Sequence, residues 1–195
     1  MPKRLSDIER EFIKKRLKEE AMRCLVTFGV KKTTVDELVK RVNIPKGTFY
    51  LFYESKELLL YDAIMELHNE MQERLISGLA DFSEGITEER LTDFLFRVYQ
   101  EIYDTGLMPI VVNGEMEYLM RKLPEDMLKE HLVYDDNSIK QLFAFISPGN
   151  KDIEIYSGAF RAVFMTMLFR REIGEQIYDD VVRLIIRGIV LQIIV

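Results

Sequence analysis

The chain has 195 residues, 48% apolar and 31% charged, with a formal net charge of −6. That length holds one globular body or two small helical domains with a real core, and the composition excludes disordered and fibrous classes. A single cysteine, Cys24, excludes a disulfide framework and points to a reducing, cytoplasmic setting; beside it, His68 and His131 alone make no metal-ligand cluster.

The charge is unevenly divided. Residues 1–53 hold 13 Lys and Arg against 7 Asp and Glu, whereas residues 54–195 hold 14 against 26. A basic head on an acidic body suits a domain that meets phosphate while the remainder repels it. The opening Met1-Pro2-Lys3-Arg4 leads into a charged segment, so no secretory leader is expected. The apolar run Leu184 to Val195 is interrupted by Arg187 and Gln192 and is too short to span a membrane.

In chain order, Ser6 and Glu9 form a capping box before a first helix. Ile13, Leu17, Ala21, Cys24, Leu25 and Phe28 give it one apolar stripe, and Gly29 ends it. Cys24 reads as a small core residue rather than a nucleophile. Thr34 with Glu37 predicts a second capping box, followed by Val35, Leu38, Val39 and Val42 at helical spacing. Asn43-Ile44-Pro45 breaks that helix, because Asn tolerates the left-handed region and the residue before proline is pushed out of helical angles. A short helix runs from Lys46 to about Tyr53. Ser55 caps a long one from Lys56 to about Leu79, whose apolar face includes Leu58, Leu59, Ile64, Leu67, Met71 and Leu75.

Thr87 caps the next helix, which runs to about Asp104 and is stopped by Gly106. Pro109 opens a helical stretch ending near Lys122, with Gly114 a break, and Pro124 opens another. Tyr134–Asn137 reads as a loop before a helix to about Ile146, and Ser147–Asn150 as a clear break. Two long helices, about Asp152 to Arg171 and Glu175 to Ile194, close the chain around Gly174. In the last, Gln176, Asp179, Asp180, Arg183 and Arg187 leave only a narrow polar stripe. So wide an apolar surface must be covered on two sides, one of them by a second copy, and Gly158, Ala159 and Gly188 allow close helix approach. With no hairpin signals or repeats, the fold class is all-α.

A helix, a tight turn and a short second helix is the shape of a helix-turn-helix. Gly29, Thr33-Thr34-Val35, Leu38, Val42, Lys46-Gly47-Thr48-Phe49-Tyr50 and Ser55-Lys56-Glu57-Leu58 together resemble the N-terminal domain of the tetracycline-repressor (TetR) family, over about a quarter of the chain. The chain departs from the family at Pro45, where Ser is common, and in the order Phe52-Tyr53, which leaves open which ring is buried. The resemblance implies a DNA-binding domain over 1–53 and an effector-binding and dimerisation domain over 54–195. It implies a homodimer on a palindromic operator, commonly a repressor released by a small, mostly apolar effector. The alternative is a helix-turn-helix protein without an effector.

By the same resemblance, Thr33, Thr34, Lys46, Gly47, Thr48, Tyr50 and Lys56 are assigned to DNA. Gly47 lets a phosphate come close, Lys46, Thr48 and Tyr50 are placed to read bases, and Lys56 is expected to hold phosphate. Lys3, Arg4, Lys31, Lys32 and Arg41 are accessory candidates. Effector contacts are expected from Phe94, Tyr99, Tyr103, Met116, Met120, Phe143, Phe160 and Phe164, with Glu101, Glu117 and Arg161 as polar handles. No glycine-rich phosphate loop, nucleophile elbow or metal motif is present, so no catalytic residue and no cofactor are expected.

Overall fold

The computed structural model describes residues 5–79, 82, 85–125, 127, 146 and 153–194. Residues 134–145, with the loop and helix expected there and Phe143, and the 147–150 break lie outside them. The described residues are helical, without strands, and fall into two units: residues 1–69 with 109–124, and residues 70–108 with 125–195.

The first unit begins with α1, Asp7–Lys32, capped by a complete Ser6–Glu9 box. Gly29 interrupts it at φ 79°, ψ 178°, so the helix kinks and residues 30–32 form one further turn. α2, Val35–Val42, starts on Thr34, whose hydroxyl accepts from the Glu37 N–H. It ends at Asn43 in the left-handed region (φ 59°, ψ 51°). α3 is only Lys46–Phe49, followed by turns through Phe52. It is shorter than its pattern suggested, because the backbone bonds after Thr48 close on tighter turns, Leu51 to Thr48 and Phe52 to Phe49. α4, Lys56–Leu79, opens in this unit and ends in the other.

Leu17, Ala21, Cys24 and Leu25 of α1, Leu38 and Val39 of α2, Phe49 of α3, and Leu59 and Leu60 of α4 are buried. Burial pushes the Cys24 thiol up from its ordinary pKa, which suits a core side chain and not a nucleophile. Phe28, expected on the apolar stripe, lies instead at the surface under the Arg41 guanidinium (5.5 Å). The later segment supplies α6, Met108–Val112, and α7, Glu115–Met120, with Ile110, Leu119 and Leu123 buried.

In the second unit α5, Glu88–Asp104, is capped by Thr87 and packs on α10, Tyr178–Ile194; α8, Ile153–Met165, packs on α10 as well. The helix expected from about Asp152 to Arg171 is broken after α8 into a 3-10 turn, Thr166–Phe169, and α9, Arg170–Ile173. A hydroxyl relay runs through the break. Thr166 Oγ1 donates to the Val163 carbonyl (2.6 Å), so it accepts from the Tyr178 hydroxyl (2.7 Å), which in turn accepts from Tyr99. The Arg170 guanidinium covers the Tyr103 and Tyr178 rings (4.6 and 4.8 Å) and pairs with Asp179 at 3.2 Å.

None of the described helices is long and apolar enough to cross a membrane. Among the described residues no three His, Cys, Asp or Glu side chains group as a metal site.

Phe49 is fully buried in the first unit. Phe49→Ala is expected to destabilise the chain by about 3–5 kcal/mol, the range for a buried aromatic truncated to alanine. Denaturant unfolding checks it, and an unchanged midpoint would mean α3 is not packed as described.

Candidate nucleic-acid interface

The short α3 is held from beneath. Phe49 turns inward and meets Tyr50 edge-on (5.3 Å) and Tyr53 at a tilt (6.2 Å). Tyr53 is the buried ring of the Phe52-Tyr53 pair: its hydroxyl donates to Asp62 at 2.6 Å, while Phe52 lies half-buried under Arg10 (5.1 Å). Burial first, then the bond to Asp62, pushes the Tyr53 phenol well above its ordinary pKa.

The outer face of the motif is polar and open. Tyr50 is 51% exposed, Thr48 is half-buried, and Gly47 is exposed with nothing within 4 Å of where a Cβ would stand. Lys46 reaches back to Asp36 at the start of α2, 2.8 Å away. That hydrogen bond, then the Asp36 charge, raises the ammonium's pKa and keeps it cationic. An exposed pair of this kind contributes little, so a phosphate can displace Asp36. Thr34, Lys46, Gly47, Thr48 and Tyr50 are thus grouped on α2, α3 and the turns that bound them.

Two residues assigned with them face elsewhere. Thr33 is fully buried and its hydroxyl donates to the Gly29 carbonyl at 2.6 Å. Lys56 donates to the carbonyls of Val30 (2.8 Å) and Thr33 (2.6 Å) and reaches that of Lys31 (3.5 Å). Among the accessory cations, Arg41 is bound to Glu37 (2.6 Å) and Glu20 (3.6 Å), and Lys31 stands over the Tyr118 ring (5.4 Å). Lys32 is exposed, and Lys3 and Arg4 lie outside the described residues. Asp36 was missed by sequence reasoning, although an acid in the first turn of α2 beside a basic α3 was the visible signal.

The aromatic set expected for an effector divides. Phe94, Tyr99 and Phe160 are core residues of the second unit, with Phe164 and Tyr103 packed against them. Met116 and Met120 belong to the first unit. Glu101, Glu117 and Arg161 are exposed; Glu117 pairs with Arg121, and Glu101 approaches Arg74 at 4.0 Å. In the second unit, Arg90, Asp93, Phe96, Arg97, Gln100 and Arg183 line an open groove of about 510 Å³.

Residues 17–63, the span that carries this motif, match the family model of bacterial regulatory proteins of the tetR family. The N-terminal region is thus similar to the helix-turn-helix domain of TetR-family regulators. YhgD of Bacillus subtilis (strain 168), described as an uncharacterized HTH-type transcriptional regulator, is 32% identical over 108 residues, half of this chain. The match covers 56% of YhgD, so the chain spans about half the length of this curated relative. The crystal structure of a protein described as a TetR-family transcriptional regulator from Mesorhizobium loti superposes with a TM-score of 0.69 over 94% of this chain and 95% of its own. At 15% identity that likeness is one of fold: a TetR-type helix-turn-helix domain followed by a helical domain.

The raised Tyr53 pKa has a measurable sign. A phenol whose folded value lies above its unfolded value of about 10 adds stability that is present below that pH and is lost as pH climbs through the folded value. The chain has no tryptophan, so tyrosinate absorbance reads phenols directly. Tyr53→Phe is expected to leave the absorbance gained between roughly pH 9 and 11 unchanged. Loss of one tyrosine's worth of that step would place Tyr53 among ordinary exposed phenols.

Proposed function

We propose that this chain is a cytoplasmic, non-enzymatic, sequence-specific DNA-binding regulator of transcription of the TetR type. Two copies of α3 enter successive major-groove faces of a palindrome. The observation that carries this is the exposed Lys46–Gly47–Thr48–Tyr50 surface, presented by a packed helix-turn-helix on the basic part of the chain. In this reading Lys46, Thr48 and Tyr50 meet the groove, and Thr34 and Gly47 lie against the backbone. Most such contacts position the protein and few specify sequence.

The same proposal includes a homodimer through α8 and α10. α10 buries Tyr178, Val182, Ile186 and Val190 against its own unit, and turns Leu184 (70% exposed), Gly188 and Leu191 outward at helical spacing. α8 and the turn after it likewise expose Ile155 (68%), Met165 and Phe169. A Cβ at Gly158 or Gly188 would meet nothing within 4 Å, leaving room for a neighbouring helix. Two stripes of this kind suit an isologous interface.

Release of a repressor from DNA by a small apolar effector completes the proposal. Family likeness supports it, together with Thr92 and Ser157, buried hydroxyls with no hydrogen-bond partner among the described residues of the second unit's core. An effector acts only by binding the DNA-competent and DNA-incompetent arrangements unequally.

A salt titration of binding to duplex DNA tests the interface. Lys46→Ala is expected to lower the slope of log affinity against log salt by about one unit for each phosphate left without its cation. Tyr50→Ala is expected to cost about 1–3 kcal/mol per base contact, with a larger effect on a selected site than on random sequence. Wild-type affinity in both variants, with the fold intact, would remove α3 from the interface.

Sedimentation tests the assembly. The wild type at micromolar concentration is expected at the mass of two 23.0 kDa chains, and Leu184→Asp at the mass of one. A monomeric wild type would end the dimer proposal.

A further inference from the structure

The joint between α1 and α2 is gripped from both sides by side chains distant in sequence. At Gly29 the α1 ladder stops, leaving nearby N–H and C=O groups to be satisfied from elsewhere. The carboxylate of Glu115, at the start of α7, accepts from the Val30 N–H, 85 residues away, and lies 3.4 Å from the Lys31 nitrogen. On the carbonyl side, Lys56 donates to Val30 and Thr33. Val30 is fully buried and thus has its N–H on a carboxylate and its C=O on an ammonium. Charge-assisted bonds of this kind are roughly twice as strong as neutral ones.

The approach is close. A Cβ at Gly29 would overlap the Glu115 carboxylate, and φ 79° would strain any side chain there in addition. One turn along α7, the Tyr118 ring receives the Lys31 ammonium, a second tie between the joint and the same short helix. The joint leads directly into Thr34, the cap of α2, and α2 packs on α3. Its geometry therefore sets where Lys46, Thr48 and Tyr50 stand.

We propose that Glu115 and Lys56 are positioning residues for DNA binding, acting as a charged clamp on the 29–33 joint, and that Lys56 acts through the joint and not on a phosphate. This rests on the DNA-binding reading above.

The two roles of Lys56 separate by salt dependence. Removing a cation from a phosphate lowers the salt slope by about one unit, whereas a loosened joint weakens binding equally at every salt concentration. The probe is a random-sequence DNA duplex, titrated against full-length wild type, Lys56→Met, Glu115→Ala and Glu115→Gln. Lys56→Met and Glu115→Ala are each expected to weaken binding about tenfold with the slope unchanged. Glu115→Gln, which keeps an acceptor oxygen, is expected to recover part of that affinity. In amide-resolved NMR spectra the Val30 N–H resonance should move upfield in Glu115→Ala and stay closer to wild type in Glu115→Gln.

A slope lowered by about one unit per phosphate in Lys56→Met would return Lys56 to the phosphates and overturn its assignment. Unchanged affinity and an unmoved Val30 resonance in Glu115→Ala would overturn the clamp. If Glu115→Ala fails to fold, Glu115→Gln decides: weakened binding at an unchanged slope with a shifted Val30 resonance supports the clamp, and wild-type affinity with that resonance unmoved overturns it. A wild type that binds no duplex at any salt would overturn the DNA reading itself, an outcome distinct from mutants that match a binding wild type.

Discussion

The first unit depends on the satisfaction of one buried peptide. Val30 sits where a 26-residue helix kinks, and its N–H and C=O stand outside the regular helical ladder. A buried backbone group without a partner costs about as much as a broken hydrogen bond, so the chain must supply one. It supplies Glu115 to the N–H and Lys56 to the C=O, and Thr33 closes the turn by bonding Gly29. Position 29 suits glycine because its φ is positive, and the Glu115 carboxylate lies against it. The segment 109–124 belongs with the helix-turn-helix for the same reason, since it carries Glu115 and Tyr118 to the joint.

Charge in this unit is used largely within the unit itself. Glu20, nearly buried, is ringed by Arg23 at 2.7 Å, Arg41 at 3.6 Å and Arg16 at 4.0 Å; Lys18 pairs with Glu66 at 3.1 Å and lies 3.9 Å from Asp62. A buried acid needs such company, because an uncompensated charge there destabilises far more than the pair stabilises. The basic surplus of residues 1–53 therefore overstates what faces outward. Lys46 pairs with Asp36, which is itself exposed, and the ammonium can exchange it for another anion.

The second unit solves a different problem. Tyr99 and Tyr178 are fully interior, and their hydroxyls are satisfied by each other and by Thr166, the residue at which the α8 helix gives way to a 3-10 turn. The relay anchors α10 beside α5, fixing which stripe of α10 is covered and which is left outward. The outward stripe is apolar, so the packing that builds the monomer also creates the surface proposed to meet a second copy.

What the sequence determined by itself was local. Caps at Ser6, Thr34 and Thr87, the left-handed break at Asn43 and the stop at Gly29 involve groups within a few residues of one another, and each was legible from spacing. The same holds for Phe49 as a core ring and for the all-helical class. Tertiary structure decided the rest. Tyr53 is the buried member of its pair because Asp62, on α4, receives its hydroxyl. Thr33 and Lys56 turn inward to backbone carbonyls, and Phe28 turns outward under Arg41. Met116 and Met120 fall in the unit of the helix-turn-helix and not with Phe94 and Phe160. In the Lys56 and Glu115 contacts the partner is a backbone group 23 to 85 residues away. Helical periodicity tells which face of a helix is apolar, but not which distant carbonyl a lysine on its margin will find.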